Sequence, residues 1–212
     1  MQAEDAGHTT ERQRPAPIAW DYLERRPDGV SVRIDRIKFA AHEAGHAVVG
    51  FYVGHRIPPH LHVFIEQGSG TAQLRDGSNQ ARLVATLAGR AGEAVLLPDL
   101  VPTSWSDEQL QTVAEASIRG WRHFIETGKE LAVESDDEIA MGLIVAANRG
   151  INPDAAIALF RQAEAEAIRI ASIPAVLNAI ESVMLALLHH ERLTGAEVDK
   201  LIVMAGHGCA VQ

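Results

Sequence analysis

The 212-residue chain has a single cysteine, Cys209, close to its C-terminal end. That excludes an intrachain disulfide and any zinc cluster built on cysteine sulfur, and a reducing cytoplasm is the compartment such usage fits. Basic residues are scarce too. Nineteen lysines and arginines against 28 acids leave a formal net charge of −9, which argues against nucleic acid or an anionic membrane surface as the main partner. No run reaches the ~20 apolar residues that span a bilayer. The most apolar long stretch, residues 168–188, is interrupted by Arg169, Pro174 and Glu181 and reads as a buried helical hairpin. Residues 1–17 are polar, with no apolar core like that of a secretory signal. There is no G-x-x-x-x-G-K-[ST] phosphate loop, no internal repeat and no low-complexity segment. The expectation is a soluble protein built on one domain.

What the chain does have is an H-E-x-x-H motif, His42-Glu43-Ala44-Gly45-His46. Random placement of its histidines and glutamates would give roughly 0.04 copies, so chance is a poor explanation. Residues four apart share a helix face, so His42 and His46 can turn ring nitrogens towards one metal ion. Glu43 sits about 100° round the helix, beside the ion's open position rather than in the ligand set, where a general base belongs. Ile34, Ile37, Ala41, Ala44, Val48 and Phe51 recur at three- and four-residue steps, which places the motif on a helix with one buried face. The plainer alternative is two histidines and a glutamate pairing on a helix surface.

Around the motif the chain reads as mainly α, with about six or seven helices and one small β-hairpin. Residues 1–32 form an expected N-terminal arm, with turn signals at Pro15, Pro17 and Pro27-Asp28-Gly29 and one short apolar patch that could dock. A domain over 33–205 and a tail over 206–212 follow. The motif helix should run from about Asp35 to near Gly54. The stretch 61–74 should form the hairpin about Gly68-Ser69-Gly70. His55, His60 and His62 lie in this region but lack an acidic partner nearby, so solvated histidines are favoured over a second metal site. Ser78 caps a helix that contains Gly89 and Gly92, whose destabilising effect calls for close packing against a neighbour. Ser106 or Asp107 opens another helix to about Thr127, and residues 134–149 form the next. Asn152-Pro153 begins a long helical run that Ile173-Pro174 should split. Thr194-Gly195-Ala196-Glu197 is a capping box for a last helix through Leu201.

Two histidines do not complete a catalytic zinc site; three protein ligands and a water are usual. The extension H-E-x-x-H-x-x-G-x-x-H is absent, since 49–52 read Val-Gly-Phe-Tyr. A carboxylate is therefore needed. Glu93, inside a helix next to small residues, could be a ligand or an acceptor for a histidine N–H. Asp107, at a helix start, could be a ligand or a simple cap. Spacing alone leaves both open.

The motif, followed by Leu87-Ala88-Gly89-Arg90-Ala91-Gly92-Glu93, by Thr103 to Asp107, and by a C-terminal segment from Ala179 to Asp199, resembles the peptidase domain of the FtsH family of ATP-dependent zinc metalloproteases over roughly residues 33–203. That resemblance implies a single-domain helical metallopeptidase fold. It implies Zn2+ held by His42, His46 and Asp107, with Glu43 as catalytic base and Glu93 as a supporting residue or alternative ligand. The 102–106 loop is about one residue shorter than the family pattern and carries Trp105 in place of a small residue, which makes Glu108 the fallback ligand. The family's ATPase module and membrane anchor have no counterpart in this sequence. The expected activity is an ATP-independent zinc metalloendopeptidase acting on peptides or unfolded protein segments. The alternative is a zinc-binding scaffold or regulatory protein with little or no turnover. A homo-oligomer and a separate ATPase are the partners the resemblance raises, with no nucleic acid and no membrane.

Overall fold

The computed structural model describes residues 34–66, 69–75, 77–100, 105–129 and 135–208. The expected N-terminal arm, residues 1–32, and Cys209 lie outside them. Among the described residues are seven helices and a small three-stranded sheet, a mainly α fold.

Helix α1 (Ile34–Val53) carries the H-E-x-x-H motif. It ends where Gly54 adopts a positive φ of 82°, a conformation that residues with a Cβ seldom take. Helix α2 (Asn79–Leu96) starts at Ser78, whose side chain accepts from the Ala81 N–H. The two helices run antiparallel and unusually close. A Cβ on Gly92 would come 2.6 Å from the Ala41 carbonyl oxygen and 2.8 Å from Gly45 Cα, and a Cβ on Gly45 would run into the Ala88 carbonyl. This close approach is the compensation that two glycines inside α2 call for.

The remaining helices wrap this pair. Helix α3 (Asp107–Thr127) and α4 (Asp136–Ala147) each open with a capping box, Ser106 with Gln109 and Ser135 with Glu138. Helix α5 (Pro153–Ala171) starts on Asn152-Pro153, and α6 (Pro174–His190) starts at the expected break, bent 84° from α5. Helix α6 packs on α1, α5 on α2, and α4 on α2, α3 and α5. Fully buried Val48, Val49, Met141, Phe160, Ile180, Met184 and Leu187 fill the space between them. No single described helix is long and apolar enough to cross a membrane.

Strands β1 (His62–Glu66) and β2 (Ser69–Ala72) form the expected hairpin, with Val63 opposite Ala72 and Ile65 opposite Gly70. A third strand, β3 (Arg192–Thr194), pairs antiparallel on the other side of β1, so the order is β2-β1-β3 and β2 is an edge. Helix α7 (Gly195–Gly208) follows from the Thr194–Glu197 capping box and runs past the expected end at Leu201.

Candidate metal centre

On α1, His42 and His46 lie one turn apart with rings in contact, centroids 4.7 Å apart and nearly perpendicular. Their Nε2 atoms are 3.1 Å from each other. The first turn of α4 brings Asp136 to the same point, its Oδ2 lying 2.8 Å from His42 Nε2 and 2.9 Å from His46 Nε2. Among the described residues this is the one group of three or more His, Cys, Asp and Glu side chains whose donor atoms all lie within 4.8 Å.

The outer atoms of the same side chains are also held. His46 Nδ1 donates to the Ala85 carbonyl at 2.7 Å, and His42 Nδ1 donates to Glu93 Oε1 at 2.5 Å. A histidine whose Nδ1–H is tied down presents its Nε2 lone pair, the arrangement that orients metal-binding imidazoles. Glu93 therefore stands behind a histidine, as its sequence context allowed.

This donor set suits zinc. Ligand atoms ~2.0–2.1 Å from a tetrahedral ion lie roughly 3.3 Å apart, only a few tenths of an ångström wider than the spacings here. The space over the nitrogens is kept clear by Gly89 of α2: a Cβ there would come 2.5 Å from both Nε2 atoms. Gly89 thus has a different cause from Gly92; it opens the site, whereas Gly92 brings the helices together.

Glu43 is 4 % exposed, packed beneath β2 so closely that a Cβ on Gly70 would lie 2.6 Å from its Cγ. Its Oε2 is buried without a hydrogen-bond partner among the described residues. Burial pushes its pKa up, against the opposing pull of His46 and His42. For His42, burial acts to lower the pKa, but the bonds to Asp136 and Glu93 outweigh it and raise it to about 10. Burial likewise acts to raise the Asp136 pKa, yet the two histidines hold it well below the usual carboxylate range. Without an ion, the raised His42 pKa would let these side chains hold a proton in its place. A cleft of ≈ 980 Å³ opens beside it, walled by α1, α2, β2 and the start of α4.

Asp107 is not brought to this cluster. Its side chain is 92 % exposed and accepts from Arg161 Nη2 at 3.0 Å. Arg161 also donates to the Trp105 carbonyl at 2.5 Å, so the start of α3 is pinned to α5, away from the histidines. Glu108 is exposed as well. Trp105 stacks under the Arg90 guanidinium, 5.1 Å from ring centroid to Cζ. Sequence alone does not single out Asp136, whose local signal duplicates that of Asp107: serine cap, aspartate at the first helical position, acid next, capping-box partner at the third. His60 is exposed and His62 half-buried, but His55 is buried and lines the cleft, a departure from the solvated reading. None of the three belongs to a described metal-binding group.

A helical fold presenting two histidines, an interposed buried glutamate and an aspartate on a cleft is zinc-metalloprotease-like. In sequence the chain is similar to the ATP-dependent zinc metalloprotease FtsH 1 of Symbiobacterium thermophilum, 29 % identical over a 194-residue alignment that covers 79 % of this chain. The alignment takes in 29 % of that protein, so the chain spans less than a third of its length. No protein-family profile matches the chain.

Proposed function

We propose that the chain is a zinc-dependent, ATP-independent metalloendopeptidase that cuts peptides or unfolded segments. The observation that carries this reading is the convergence of His42 Nε2, His46 Nε2 and Asp136 Oδ2 beside a buried, unpartnered carboxylate, on an open cleft. His42, His46 and Asp136 would hold the ion, with Asp136 in the place the resemblance gave to Asp107. Bound zinc supplies Lewis acidity that activates water and polarises a carbonyl.

The chain's own residues do the rest. Glu43 takes a proton from the attacking water on its carboxylate and passes it to the leaving amine. Its raised pKa makes it a stronger base than a solvated glutamate, and packing under Gly70 fixes its direction. Strand β2 is an edge, and Gly70, Thr71 and Ala72 line the cleft, so an extended peptide can add to the sheet with its backbone in register over the site. The open cleft favours an enzyme over a scaffold. Glu43→Gln should retain zinc and lose cleavage of a quenched peptide by about 10²-fold or more; turnover equal to that of the parent protein would reject the assignment.

A further inference from the structure

The cleft is not electrically uniform. Helix α1 runs antiparallel to α2, so the residues before His42 and those after Gly89 share one end, and those after His46 and before Gly89 share the other. The first end carries the carboxylates Asp35, Glu93 and Asp137 together with Lys38 and Arg90, so its cations stand among acids. The second carries Arg75, Arg82 and the buried His55, with no carboxylate among its described lining residues. Arg75 is fixed at that end through its backbone, where its N–H donates to the Arg56 carbonyl at 2.7 Å. Arg56 itself is engaged, its guanidinium 4.1 Å above the Phe51 ring. The exposed Arg82 guanidinium, by contrast, makes no ion pair with a described residue. In a chain with a net charge of −9, two arginines on a cleft wall without a described acidic counterpart point to a ligand that brings the negative charge.

We propose that the Arg75–Arg82 end selects substrates by binding a peptide carboxylate two to four residues from the bond that is cut. This rests on the peptidase reading above. Arg82 precedes Gly89, the residue over the histidine nitrogens, by seven positions, about 10 Å along the helix axis. An extended peptide covers that distance in about three residues at ~3.3 Å each. The planar guanidinium fork accepts a carboxylate bidentately, so Glu or Asp side chains and a free C-terminus are both recognised by the same chemistry.

The test uses zinc-loaded full-length Glu43→Gln protein and fluorescein-labelled ten-residue peptides, identical except for Glu, Gln or Lys three residues to either side of a central Ala-Leu. Both termini are blocked in one set, and the C-terminus is free in the other. Fluorescence anisotropy should show the Glu peptides binding about fivefold tighter than the Gln peptides, with Lys weakest, and the difference shrinking as salt is raised. The blocked and free sets separate side-chain from terminal recognition. Arg82→Glu, checked for fold by circular dichroism and zinc content, should reverse the order. Equal binding of all three, or an unchanged order in Arg82→Glu, overturns the proposal while leaving the peptidase reading standing, provided the parent protein cuts the quenched forms. If no peptide is bound by Glu43→Gln or cut by the parent protein, both fall together.

Discussion

Asp107 and Asp136 are the same side chain at the same helical position, each following a serine cap, yet only Asp136 lies within 2.9 Å of the histidine Nε2 atoms. The consequence is measurable by zinc competition with a chromophoric chelator. Asp136→Ala should weaken zinc by more than the about 10–100-fold expected for Glu93→Gln, which removes only the carboxylate behind His42, and Asp107→Ala should leave affinity unchanged. A loss confined to Asp107→Ala would reinstate that residue. The same cluster fixes the pH dependence. With its pKa raised to about 10, metal-free His42 carries at neutral pH a proton that an ion must displace. Apparent zinc affinity should therefore climb about tenfold per pH unit for each proton displaced. The sign for the metal-free fold is opposite. A raised histidine pKa contributes stability that is fully present below about 6.5, the usual value, and is lost as pH passes through about 10. Urea melts of chelated protein should show this term weakening between those limits.

At the scale of elements, glycine decides how α1 and α2 meet. In an open helix, Gly→Ala gains roughly 0.5–1 kcal/mol. At Gly92 the new Cβ would meet backbone at 2.6 and 2.8 Å, and overpacking of that kind costs about 1–3 kcal/mol, so the steric effect wins. Gly142 in α4 is the control, since a Cβ there meets nothing within 4 Å. Denaturant midpoints should thus fall for Gly92→Ala and rise for Gly142→Ala. These elements were largely legible in the sequence, because their determinants are local: Ser78, Ser106, Asn152-Pro153 and Ile173-Pro174 mark boundaries by chemistry that acts within one turn. Strand β3 was not legible. Three residues between two helices carry no strand signal of their own, and Leu193 is ordered by pairing with Val63, far away in sequence. The placement of Asp136 beside the histidines was not legible for the same reason. Two helix starts with equivalent caps differ only in which helix they dock against, and the Arg161 anchor that holds α3 away lies more than fifty residues downstream.

Across the whole molecule, the donor atoms come from helices that precede and follow the β-hairpin, α2 and α3 in the chain, His46 and Asp136 being 90 positions apart. An unfolded chain has no such site, so zinc binds the folded state in preference and must stabilise it by linkage. At a free concentration a hundred times the dissociation constant, that stabilisation is about 2.7 kcal/mol. For a domain of this size, each kcal/mol raises Tm by roughly 2–4 °C, so saturation should raise it by about 5–10 °C over chelated protein. Among the described residues α4 packs mainly on α2, α3 and α5, and Asp136 carries it to the α1 histidines, so a bound ion would also join these two parts of the core. Hydrogen exchange should then slow in the first turn of α4 and around His42 and His46 on adding zinc, more than in α7, which packs on α6, α1 and β3 and supplies no donor residue. The increment in Tm should vanish in Asp136→Ala and persist in Asp107→Ala. A Tm indifferent to chelator in the parent protein would mean that the three donors are a hydrogen-bonded polar cluster with no ion between them, and the peptidase reading would fall with it.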